Sequence, residues 1–244
     1  MEVDKVQDNS LKMKKKDNTY YFIQGVKDCI PTLLGYLSIG ITCGILSKSC
    51  GLTLWQAMGM SAFVYGGSSQ FIASSMILSA VSVPSIVFTI FLVNFRHLFL
   101  SASIAPYFKK NSILKNLFIG ALLTDETFAV ASTEGFKNKK INNFWMVGLN
   151  IIAYINWVVA TSIGVLIGSV IPDYKVFGLD FALTAMFIGL LISAIKGNLK
   201  VKKAIVIIIT SVIVLIVSTQ VVSTSLGVIL SAIIGALVGV VIKK

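Results

Sequence analysis

Charge is what this sequence has least of. Of 244 residues only 13% are Asp, Glu, Lys or Arg, against 56% apolar, and a mean hydropathy of +0.88 lies well above that of ordinary soluble domains. A soluble enzyme is excluded. The scarcity is also uneven: six lysines and five acids fall in the first 28 residues, leaving 20 charges for the following 216. Cysteine is nearly absent too. Cys29, Cys43 and Cys50 are odd in number, lack C-x-x-C spacing and sit in or beside apolar sequence, which argues against a disulfide framework or a zinc site and leaves them as small packing residues. There is no G-x-x-x-x-G-K-[ST] and no H-E-x-x-H, so the chain offers neither ATP hydrolysis nor a zincin site. No other cofactor or metal is indicated. An apolar leader ending in a small-residue cleavage site is missing as well, so residues 1–28, polar and Lys-rich to about Tyr20, are expected to be a flexible cytoplasmic tail before a single transport domain over 29–244.

What is present is a series of apolar runs. Eight candidate membrane segments fall at about 29–47, 53–82, 84–105, 117–136, 142–170, 176–195, 204–220 and 222–242, with no room for a soluble domain between them. The expected fold is an all-α polytopic membrane protein. A net charge of +11 would suggest nucleic acid in a soluble protein, but here the lysines fix orientation in the bilayer. The tail, the 196–203 connection and the C-terminal Lys243 and Lys244 place both termini in the cytoplasm. Lys109, Lys110 and Lys115 precede the fourth segment, and Lys137, Lys139 and Lys140 follow it. Eight full crossings put 15 lysines inside and five outside; six crossings, with the second and fourth segments re-entrant, put 18 inside and two outside. The second arrangement respects the charge rule better.

Three polar clusters lie at the centres of consecutive segments. In the second, Tyr65-Gly66-Gly67-Ser68-Ser69-Gln70 is poor continuous-helix sequence and implies a break, whose exposed N–H and C=O groups suit a carboxylate and a cation. The alternative is close helix packing through the glycines. In the third, Asn94-Phe95-Arg96-His97 places an arginine where it costs about 2.5–3.5 kcal/mol even on a lenient insertion scale, so Arg96 needs an anionic partner or water. His97, the only histidine, is a proton carrier or a hydrogen-bonded structural residue. In the fourth, Thr124-Asp125-Glu126-Thr127 supplies two carboxylates about 100° apart on a helix, one to pair with Arg96 and one to take a substrate ammonium or a proton. Independent structural accidents would scatter in depth, whereas a midplane substrate site predicts this coincidence.

Later segments say less. Asp180 is interfacial or functional, and Asn150 and Asn156 line the same cavity or bond between helices. Gly227, Ser231, Gly235 and Gly239 form a stripe of small residues for internal packing or a partner subunit. Other function classes are an ion or small-solute channel and, from Ser68 or Ser69 with His97, an intramembrane serine hydrolase, although G-x-S-x-G is not matched.

Tyr65 through Ala73, Asn94-Phe95-Arg96-His97-Leu98 through Ser101-Ala102-Ser103 to Pro106, and Thr124-Asp125-Glu126-Thr127-Phe128-Ala129, in that order and spacing, resemble the AzlC family, the large subunits of bacterial branched-chain amino acid exporters. The resemblance runs from Gly35 to the end of the sixth segment. It implies a non-enzymatic exporter of valine, leucine, isoleucine or analogues in the cytoplasmic membrane, driven by the proton gradient and working with a small AzlD-type membrane subunit. The candidate substrate-binding residues are then Gly66, Gly67, Ser68, Ser69, Gln70, Asn94, Arg96, Asp125 and Glu126, with Arg96, Ser68, Ser69 and the N–H groups near Gly67 as donors for a carboxylate and Asp125 or Glu126 as acceptor for an ammonium, and with His97, Asp125 and Glu126 as proton-coupling candidates. Phe71, Phe91, Phe95 and Phe128 are the candidate apolar lining.

Overall fold

The computed structural model describes residues 17–171, 181, 184–185, 188, 191–192, 201–222 and 224–243, and among these it is all-helical. Most of the expected tail, Asp180 and most of the sixth segment lie outside the described residues. Helix α1 (Asn18–Ser49) begins inside the stretch assigned by its lysines to the tail, capped by Asp17. It is followed by α2 (Leu54–Phe63), α3 (Gly67–Leu78), α4 (Val83–Asn94), α5 (Arg96–Ile104) with a 3₁₀ turn (Ala105–Phe108), α6 (Ile113–Ala121), α7 (Asp125–Asn138), α8 (Asn143–Gly168), α9 (Val201–Ser218) and α10 (Thr224–Lys243). Among the described residues, four stretches are long and apolar enough to cross a bilayer: Asn18–Ser49, Val83–Phe108, Asn143–Gly168 and Val201–Ser218. The second and fourth apolar runs of the sequence are each two short helices, broken at Val64-Tyr65-Gly66 and at Leu122-Leu123-Thr124.

The scaffold is the pair α1 and α8, lying side by side and parallel. Gly25 packs on Trp145 and Leu149 near their starts, and Gly44 on Thr161, Gly164 and Val165 near their ends. A Cβ on Gly44 would sit 2.1 Å from the Thr161 carbonyl oxygen, and one on Gly164 would sit 2.1 Å from that of Ile41. Only glycine admits so close a backbone approach, which replaces hydrophobic pressure as the packing force where the surroundings are as apolar as the side chains. Trp145 donates to Asp28 at 2.7 Å and Asn156 to the Leu33 carbonyl at 3.3 Å, adding polar links along the same seam. The three cysteines are free and buried.

Each broken segment returns to the end from which it came. Gly67 packs on Trp157, as Gly40 does, and Ser74 bonds to Ser47 at 3.0 Å, so α3 runs alongside α1 toward the Ser49 end, where α2 began. The other hairpin closes at the opposite end: Asn111, before α6, and Asn143, after α7, exchange hydrogen bonds of 2.8 and 2.7 Å. Tyr107 packs against Gly135 beside that closure. The exposed lysines on both sides of the fourth segment therefore share one end of the molecule. Helices α9 and α10 form an antiparallel hairpin in which Gly227 meets Ser218 and Thr219, and Gly235 meets Ser211, so that part of the small-residue stripe is used internally.

Replacing Gly44 by Val should abolish the folded, monodisperse protein on size-exclusion chromatography in detergent, because the added carbons meet backbone that has nowhere to go. Gly35, in the same helix, has no atom of the described residues outside its own turn of helix within 4 Å of where a Cβ would stand; Gly35→Ala should fold and gain about 0.5–1 kcal/mol in thermal unfolding.

Candidate functional site

The two hairpin tips meet beside the middle of α1 and α8. Helix α3 starts at Gly67 with Gly66 as its N-cap and no side-chain cap, so the positive end of its dipole and first-turn N–H groups lie beside a small cavity. Gly67 lets the Trp157 ring approach to 3.2 Å of where a Cβ would stand. Helix α7 starts at Asp125 behind Thr124, which forms a reciprocal capping box with Thr127. Asp125 and Glu126 occupy its first turn, where carboxylates are stabilised by the helix dipole.

Arg96 ties the tips together. It forms an ion pair with Asp125 at 2.9 Å and donates to Ser68 at 2.8 Å, so one guanidinium bridges the first turns of α3 and α7. The planar fork of arginine suits two acceptors on different elements; a lysine ammonium on a flexible stem does not hold that geometry. Carbonyls left open before the two breaks receive donors from within the protein. Tyr154 donates to the Ala62 carbonyl at 3.0 Å and Asn150 to the Ile119 carbonyl at 3.0 Å, both from α8, and the His97 Nδ1–H, in the tautomer this bond requires, donates to the Leu123 carbonyl at 3.1 Å.

The cavity at the junction is lined by Tyr36, Tyr65, Gly66, Gly67, Arg96, His97, Thr124, Asp125, Glu126 and Trp157, and its free space is about 10 Å³, room for one water and no more. The site is closed. Of the sequence-derived candidates, Gly66, Gly67, Arg96, His97, Asp125 and Glu126 line it. Ser68 lies behind them on Arg96, and Ser69 bonds to Asn94 at 2.5 Å. Gln70 is buried in a separate chain, accepting from Trp157 at 2.5 Å and donating to Ser61 at 2.8 Å, with Ser61 2.6 Å from Thr161. The bonds of Ser68 and Ser69 thus run to Arg96 and Asn94 rather than to His97, as a serine–histidine dyad would need.

The expected phenylalanine lining is corrected. Phe91 and Phe95 sit on the exposed face of α4 and α5 in a row of edge contacts with Phe99, and Phe71 is part of the buried core. The aromatic walls are instead Tyr36, Tyr65 and Trp157. Tyr36 bonds to Thr124 and packs edge-on to Trp157 at 5.6 Å. The signal for Tyr36 and Trp157 is their place in mid-segment: a polar-tipped aromatic far from the interface belt needs an internal partner. Asn150 and Asn156 bond between helices.

The AzlC protein family profile matches residues 31–171, the region holding both hairpins, α8 and α1 from Pro31 onward. An uncharacterized membrane protein of Archaeoglobus fulgidus is 35% identical over 184 residues, covering 72% of this chain and 77% of that protein. A second uncharacterized membrane protein, of Helicobacter pylori strain J99, is 30% identical over 187 residues, covering 75% and 81%. The branched-chain amino acid transport protein AzlC of Bacillus subtilis is 29% identical over 163 residues, covering 67% and 63%. No solved structure matches the chain.

The ion pair at the junction is open to a double-mutant cycle. Arg96→Met and Asp125→Asn, singly and together, should give a coupling of about 1–3 kcal/mol in thermal unfolding; a coupling near zero would show that the pair contributes nothing to holding the tips.

Proposed function

The chain belongs to the AzlC family, and on that premise we propose that it is a secondary transporter of branched-chain amino acids, exporting them across the cytoplasmic membrane. The observation that carries the proposal is the division of labour at the hairpin junction. Among the described residues, the cavity lining holds Arg96 as a permanent cation together with two carboxylates; Asp125 is paired with Arg96, whereas Glu126 is set against the neutral hydroxyls of Tyr36 and Thr124 and is the carboxylate assigned to a ligand. A zwitterionic amino acid needs donors at one end and an acceptor at the other. The uncapped first turn of α3 and the Arg96 guanidinium provide the donors, and Glu126 provides the acceptor. Ser68, Ser69, Gln70 and Asn94 act by holding these groups in place.

Coupling to protons follows from competition. A proton on Glu126 and a substrate ammonium beside it exclude one another, so each cycle exchanges one for the other; Asp125, Arg96, His97, Tyr36 and Tyr65 surround that carboxyl and set the balance. Since the cavity has room for only one water, turnover requires the tips to part, alternately toward each face. The shared end of each hairpin supports six crossings with two re-entrant segments entering from opposite faces, and that arrangement gathers Lys109, Lys110, Lys115, Lys137, Lys139 and Lys140 on the cytoplasmic side with both termini. A small AzlD-type membrane subunit completes the permease.

Two measurements test this reading. Leucine efflux from preloaded proteoliposomes should fall at least about tenfold in Glu126→Gln and lose its response to an imposed proton gradient; undiminished, gradient-dependent efflux would refute the role of Glu126. With the native cysteines replaced, a cysteine at Ser79 should react with an impermeant maleimide outside intact cells and one at Ser112 should not. Eight full crossings require the reverse pattern.

A further inference from the structure

Tyr65 is held at the tip of the α2–α3 hairpin in a way that its neighbours do not explain. Its backbone has φ +42°, a left-handed conformation that costs a bulky side chain and that the following residue, Gly66, would adopt freely. Its side chain is 7% exposed, and its hydroxyl forms no well-made hydrogen bond among the described residues, the neighbouring Tyr36 hydroxyl being its one weak contact of that kind. The Tyr36 hydroxyl is engaged with Thr124, and the Tyr65 ring is fixed by an edge contact with Tyr154 at 4.8 Å. Phenylalanine would fill the same space without burying a poorly satisfied hydroxyl. A strained backbone and a poorly satisfied polar group on one residue of a cavity's lining mark a place where a ligand completes the bonding.

We infer that Tyr65 is a substrate-contacting residue, its hydroxyl and the Glu126 carboxylate together receiving the α-ammonium of the bound amino acid. Tyr65 lines the same cavity as Glu126, and beside that carboxylate a substrate carboxylate would be repelled and an ammonium attracted. Tyr36 and Trp157 stand on the same wall and offer ring faces or edges to a cation without adding charge. The amino acid is thereby oriented: ammonium between Tyr65 and Glu126, carboxylate toward the first turn of α3 and Arg96. Compounds that lack the amino group forfeit the Tyr65 contact. This inference rests on the transport reading of the site.

The test uses the purified protein in nanodiscs, with leucine and its analogue without the amino group, 4-methylpentanoate, as probes. Wild type should bind leucine more tightly than 4-methylpentanoate. Tyr65→Phe should weaken leucine binding about tenfold while leaving the binding of 4-methylpentanoate unchanged and the thermal unfolding midpoint of the ligand-free protein no lower than that of wild type. Leucine binding equal to wild type in Tyr65→Phe overturns the inference and leaves the transport reading standing, as does an equal loss for both probes. Absence of leucine binding in the wild type overturns the transport reading itself. In otherwise unaltered protein, 3-fluorotyrosine at position 65 gives a second readout independent of how the variant folds: its ¹⁹F resonance should shift on saturation with leucine and not with 4-methylpentanoate, and an unmoved resonance with leucine overturns the inference.

Discussion

Backbone polar groups at a break in a membrane helix cannot turn to water, and the rest of this structure is arranged around satisfying them. Two segments break, and α8 serves both: Tyr154 covers the end of α2 and Asn150 the end of α6. It can do so only because it lies at the centre, locked along its length to α1 by reciprocal glycine contacts. That seam fixes the depth at which both hairpins stop. The tips are left with what the helix geometry cannot satisfy internally, the uncapped start of α3 and the acid-bearing start of α7, facing one another across Arg96.

This arrangement explains why two adjacent carboxylates can have different roles. Successive residues on a helix point about 100° apart, so the first-turn acids of α7 cannot both address one guanidinium. Asp125 pairs with Arg96, while Glu126 lies toward Tyr36 and Thr124. The electrostatic cost of an arginine in the interior is offset by one of them, and the other keeps its chemistry for a ligand. A cavity with room for one water is the closed form of such a site.

Much of this was legible in the sequence, because polar residues in apolar runs are costly enough to be informative. The breaks at Gly66-Gly67 and before Asp125, the partnership of Arg96 with a fourth-segment acid, and the packing role of the cysteines follow from composition and position alone. Other features were not legible. The split between Asp125 and Glu126 depends on the rotation of α7, which is set by its Thr124 cap and by contacts from distant helices. Tyr36 and Trp157 enter the site through the α1–α8 pairing, a contact between residues more than a hundred positions apart. The phenylalanines of α4 and α5 mislead for the same reason: proximity in sequence to Arg96 says nothing of which face of the helix they occupy, and Phe91 and Phe95 lie on the outer one. The start of α1 is hidden by the lysine-rich sequence just before it, which reads as a tail running on to residue 28 although the chain is helical from Asn18.

If substrate binds where the two hairpin tips meet, the most direct measurement is a structure determined in lipid with leucine at saturating concentration. Ligand density is then expected between the 65–68 and 124–126 turns, in contact with Glu126 and bounded by Tyr36 and Trp157. Leucine found instead in the separate apolar pocket lined by Leu98, Ala102, Ile119 and Gly120, with the tips still closed on an empty junction, would contradict it.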